Sequence, residues 1–93
     1  MKFKFDPKKS ELLRNNPKRD IEFEEIQEVW DHPYYEDKGS DDQDQFRVIG
    51  WVKGKLYSVI YEVREDDQGE YFHLVTLWES TSPEAKLYEE NVR

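Results

Sequence analysis

The chain has no cysteine, which removes disulfides, thiolate metal sites and a cysteine nucleophile together. Histidine is nearly as scarce. His32 and His73 are the only two, and neither sits in an HxxxH or HxxE arrangement. Glycine and proline number four each, and no glycine-rich phosphate loop or GxSxG elbow is present. Asp41, Asp42 and Asp44 lack the glycine and terminal glutamate of a calcium loop, so they read as a solvated acidic stretch. No metal and no cofactor is therefore expected. No window approaches 18 uninterrupted apolar residues, and the N-terminus has no apolar signal-peptide core. A soluble, cytoplasmic chain with no membrane partner is the expectation.

What the chain does have is aromatic residues and acid. Its 93 residues suit a single domain, 1–93, with a modest core, and three Trp, six Tyr and five Phe supply large apolar areas for it. Charged residues make up 39% against 35% hydrophobic, so much of the chain must be solvated. The net charge of −8 is unevenly spread. Residues 1–20 carry seven bases and three acids, +4, and the rest carry seven bases and nineteen acids, −12. A polyanion would find footing only near the start of the chain, whereas a basic protein would find most of the surface attractive.

Hydropathy patterning predicts the order β-α-α-β-β-β-α. Lys2 to Phe5 alternates charge with phenylalanine, as a short strand does. Asp6-Pro7 opens a helix running to about Asn16, where Pro17 stops it. Ile21, Phe23, Ile26, Val29 and Trp30 recur at helical spacing, predicting a second helix that His32-Pro33 ends. Residues 34–45 have turn formers and acids without apolar period, and read as a loop. Three strands follow, Phe46 to Val52, Leu56 to Arg64 and Glu70 to Trp78, joined by turns at 53–55 and 65–69. Thr81-Ser82-Pro83-Glu84 has capping-box spacing ahead of a last helix. The fold class is α+β: an antiparallel meander with two N-terminal helices and a short C-terminal helix. In the last strand, strict alternation places His73 with Tyr71, Val75 and Leu77, opposite Phe72, Leu74, Thr76 and Trp78.

A metal-free ribonuclease needs a proton acceptor for the ribose 2′-hydroxyl, a donor for the leaving oxygen and cations for the dianionic phosphorane. The residue types available are His73, Arg64, Tyr61, Lys18 and Arg19, with Arg14 in the same basic N-terminal segment. His73 and Arg64 each have a plainer reading beside this one: a structural histidine and a strand-end surface arginine.

FKFDPKK, IEFEEIQEVWDHP, FRVIGWVKGKLYSVIYEVRE and LVTLWESTSPEAKLYEE occur in the order seen in the BrnT family, which this chain resembles from about Lys2 to Glu90. Members are RelE-like ribonuclease toxins of type II toxin–antitoxin pairs. The resemblance implies a compact sheet with two N-terminal helices and metal-independent RNA cleavage. It also implies a cognate BrnA-like ribbon-helix-helix antitoxin as partner, with DNA bound only through that antitoxin. Carried over residue by residue, Lys18 and Arg19 keep family cations and Arg64 keeps a strand-end arginine; on the toxin reading Lys18, Arg19 and Arg14 would hold RNA, and His73, Arg64 and Tyr61 would be catalytic, with Tyr61 assisting by hydrogen bonding. The chain departs from the family where it reads Lys18-Arg19-Asp20 for Lys-His-Gly and Gln45 for an arginine. It departs again at His73 for an arginine and at Thr76-Leu77-Trp78 for Ser-Ala-Arg. Those lost cations leave a second expectation open: a catalytically silent protein-binding module on the same scaffold, with a basic partner.

Overall fold

The computed structural model describes residues 2–16, 21–38 and 44–92. Strand β1, Lys2–Lys4, leads through Asp6 into helix α1, Pro7–Arg14. The Asp6 carboxylate accepts from the Lys8 N–H at 3.0 Å, and Pro7 occupies a first-turn position where no N–H is missed. One face of α1 buries Ser10 and Leu13, and Ser10 Oγ accepts from the Phe23 N–H at 3.0 Å. That bond ties α1 to the start of the next helix.

The expected second helix is shorter and tighter than its periodicity predicts. Only Phe23–Ile26 is α-helical (α2), and the chain continues as a 3₁₀ turn, Gln27–Asp31. Phe23, Ile26 and Val29 are spaced by three and all fully buried. A three-residue spacing is the repeat of a 3₁₀ helix, which stacks i and i+3 on one line.

The segment expected to be a loop begins with a strand instead. β2, Tyr34–Asp37, pairs antiparallel with β3, Gln45–Val52. It escapes an apolar-period search because it is a polar edge strand, held by backbone pairing and by the Arg47 guanidinium bonded to Asp37. β4, Lys55–Asp66, and β5, Gly69–Glu79, complete the expected meander. The β3–β4 turn is only Lys53-Gly54, both at positive φ (50° and 83°), as a two-residue hairpin turn requires. The sheet order is β1-β5-β4-β3-β2, with β1 parallel to β5. The sheet is thus mixed, not wholly antiparallel, and the class is α+β, with five strands and three α-helices among the described residues.

A bulge corrects the face assignment in β5. Ile60 pairs with Thr76 but Tyr61 pairs with Leu74, so Val75 has no partner opposite. The extra residue shifts the alternation. Leu74 and Leu77 therefore both join the main core, with Val48, Val59, Tyr61 and the buried residues of α2 and the 3₁₀ turn.

Gly50 lets the 3₁₀ turn lie directly on β3. A Cβ there would sit 2.6 Å from Val29 Cγ2. Helix α3, Ser82–Asn91, packs on the reverse face behind a full Thr81–Glu84 capping box. Glu84 is 6% exposed and accepts from Trp78 Nε1 and the Thr81 N–H, each at 2.8 Å, and from Arg47 Nη1 at 3.3 Å. Burial alone would push the Glu84 carboxyl up, but these donors hold it below its ordinary range.

Candidate functional site

Two surfaces bear on function, one on each face of the sheet. On the reverse face, register places Lys4, His73 and Glu62 in one row and Lys2, Tyr71 and Arg64 in the next. His73 is partly buried. Burial and then the Arg64 charge lower its pKa, Lys9 adds to this, and Glu62 opposes it. The ring is therefore mostly neutral at pH 7. Register brings His73 and Arg64, both expected site residues, to the same face in adjacent rows.

Three cations of this face, Arg64, Lys2 and Lys4, already have partners. Arg64 Nε donates to Glu62 Oε1 at 3.0 Å, and Glu62 also accepts from Gln45 at 3.1 Å. The Gln45 bond first, then Arg64, keeps the Glu62 carboxyl low and ionised. Lys2 and Lys4 both reach Asp66 Oδ2, at 3.2 and 2.7 Å, and Lys4 lies 4.2 Å over the Tyr71 ring. The bond from Lys4 is the main reason that Asp66 titrates well below the usual carboxylate range.

Tyr61 is on the other face. Its neighbour Glu62 shares a row with His73, and successive strand residues point oppositely, so Tyr61 turns toward the helices. It is 3% exposed, and its hydroxyl donates to Glu36. Burial and then that bond raise the phenol far above its ordinary value, so it acts only as a donor at neutral pH. The structure thus separates the three expected catalytic residues, two on one face and one on the other. Arg14 lies exposed at the end of α1, bonded to Glu22 at 3.2 Å. Lys18 and Arg19 lie outside the described residues.

The helix face carries an open cleft of about 450 Å³, unnoticed in the sequence. Phe3, Trp30, Tyr34, Tyr61 and Phe72 form its walls, with Gln27, Asp31 and Glu36 among them. The rings support one another: Phe3 is 5.1 Å from Trp30, Tyr61 is 4.6 Å from Phe72, and Trp30 meets Tyr61 edge-on at 5.3 Å. Trp30 Nε1 is buried there without a hydrogen-bond partner. Among the described residues, no lysine or arginine lines the cleft. Its signal in the sequence is faint: Trp30-Asp31 at the end of an apolar run, and the alternation of Tyr34 and Glu36 that a loop reading hides.

Comparison with protein-family models and with curated proteins gives no match. Among the described residues, no helix is long and apolar enough to cross a membrane, and no group of three His, Asp or Glu side chains could hold a metal ion.

Proposed function

We propose that this chain is a BrnT-like, RelE-like scaffold that works as a partner-binding module, recognising a basic protein segment rather than cleaving RNA. The observation that carries this reading is the prior engagement of three cations on the face of His73, with Lys9 the cation acting on it that makes no ion pair among the described residues. Arg64 is bonded to Glu62, and Lys2 and Lys4 to Asp66, so binding a phosphate there must first break internal ion pairs. Tyr61, the other proton-transfer candidate, faces away. The balance of −12 beyond residue 20 favours a basic partner. A BrnA-like ribbon-helix-helix protein is the partner that resemblance implies, and the cytoplasm is the compartment.

A second reading, metal-independent endoribonuclease toxin, is favoured by one observation. His73 is held neutral with Arg64 and Lys9 close enough to influence it, which suits a general base beside phosphate-binding cations.

The test is to mix purified protein at micromolar concentration with single-stranded RNA in EDTA, and separately with a BrnA-like ribbon-helix-helix protein. Intact RNA and a salt-sensitive protein complex are expected. RNA cleavage that His73→Ala and Arg64→Ala abolish would establish the toxin reading instead.

A further inference from the structure

We propose that the aromatic cleft is a receptor for one arginine side chain of a basic protein segment. This deepens the partner-binding reading and rests on it. The cleft's volume, about 450 Å³, falls within the roughly 300–1,000 Å³ typical of small-ligand sites. A buried apolar wall alone would accept any greasy group. Here two carboxylates are set among the rings, and Asp31 and Glu36 make no ion pair among the described residues. Glu36 has one oxygen occupied by the Tyr61 hydroxyl, which fixes the carboxylate against the aromatic wall. Rings attract cations through their negative faces, and a carboxylate beside them adds direction.

Guanidinium suits this arrangement better than ammonium. It is flat, so it can lie against Trp30 or the exposed ring of Tyr34 while its edge donates to Glu36 or Asp31. It is also more weakly hydrated, so entering an aromatic site costs it less. A nucleobase could stack on the same rings, but its phosphates would approach Asp31 and Glu36 with like charge. The charge therefore selects a basic peptide over a nucleic acid.

The experiment is an NMR titration of the ¹⁵N-labelled full chain with blocked tripeptides Ac-Gly-Arg-Gly-NH₂, its lysine and norleucine counterparts, and oligo(U). The signal read is the Trp30 indole N–H, assigned with Trp30→Phe. The arginine peptide should shift it saturably, with lysine weaker by about fivefold or more and norleucine inert. Glu36→Gln and Asp31→Asn, both at exposed positions, should each weaken the arginine response while leaving the rest of the spectrum in place. Equal binding of lysine or norleucine, an unmoved Trp30 signal, or a response to oligo(U) instead would overturn the proposal. Antitoxin binding with an unmoved Trp30 signal would sink this site alone and leave the partner-binding reading standing.

Discussion

Gly50→Ala should destabilise the protein for one local reason. The added Cβ would stand 2.6 Å from Val29 Cγ2 and 3.5 Å from both the Val29 carbonyl oxygen and Tyr34 Cβ. Carbon atoms settle at about 3.5–4.0 Å, so the 3₁₀ turn must lift from β3 by about 1 Å or Val29 must leave its rotamer. Overpacking of this kind costs about 1–3 kcal/mol. Gly50 has an ordinary negative-φ backbone, so the alanine restricts the unfolded chain and returns about 0.4–1 kcal/mol. The net loss should be about 1–2 kcal/mol, or a fall in Tm of about 4–16 °C for a domain of this size. Thermal and urea unfolding followed by circular dichroism measure it. The decisive arm is a double-mutant cycle. Val29→Ala alone should cost about 2 kcal/mol for lost burial and the cavity left behind. In that background the clashing methyl is gone, and Gly50→Ala should be neutral to within about 0.5 kcal/mol. If Gly50→Ala costs as much with alanine at 29 as with valine, the close approach is not what glycine provides. The same variant should blunt the response of the cleft to arginine, because the lifted turn carries Trp30 and Asp31.

Glu84→Ala should cost about 2–4 kcal/mol, because Trp78 Nε1, the Thr81 N–H and part of Arg47 lose a buried acceptor, whereas Glu84→Gln should cost less. The Glu84 carboxyl is held low in the folded state, so its stabilisation is present above about pH 4.5 and is lost as pH falls through the folded value. The gap between wild type and Glu84→Gln in urea midpoint should narrow accordingly below pH 4.5. His73 should titrate below 6.5 by NMR, moving up in Arg64→Ala and further down in Glu62→Gln. Its neutral ring contributes stability that is full above 6.5 and declines as pH falls from there toward the folded value, and a midpoint above 6.5 would refute the placement.

Features of this fold that depend on a few adjacent residues are legible in the sequence. Asp6-Pro7, Lys53-Gly54 and Thr81-Glu84 each specify a cap or turn through their own side chains and backbone preferences, and all three form. Features that depend on a partner far along the chain are not. β2 is polar and becomes a strand only because β3 offers a ladder and Arg47 offers a countercharge to Asp37. The bulge at Val75 leaves no mark in composition, yet it overturns the simple alternation that put Leu77 beside His73. The separation of Tyr61 from His73 follows from cross-strand register, whereas the meeting of His73 with Arg64 follows from hairpin proximity. The cleft gathers side chains from β1, the 3₁₀ turn, β2, β4 and β5, so no single stretch could announce it.

The parallel join of β1 to β5 sets the order of assembly. Lys2 meets Tyr71, a separation of 71 − 2 = 69 residues, while the β3–β4 and β4–β5 hairpins each close over a two-residue turn. Closing the longer span costs more chain entropy, and only three residue pairs reward it. The N-terminal strand is therefore a clasp that shuts late, secured less by its ladder than by Phe3 wedged between Trp30 and Phe72. Until that ring arrives, the aromatic cleft stands with one wall missing, so the binding proposed for it would begin only when the clasp closes.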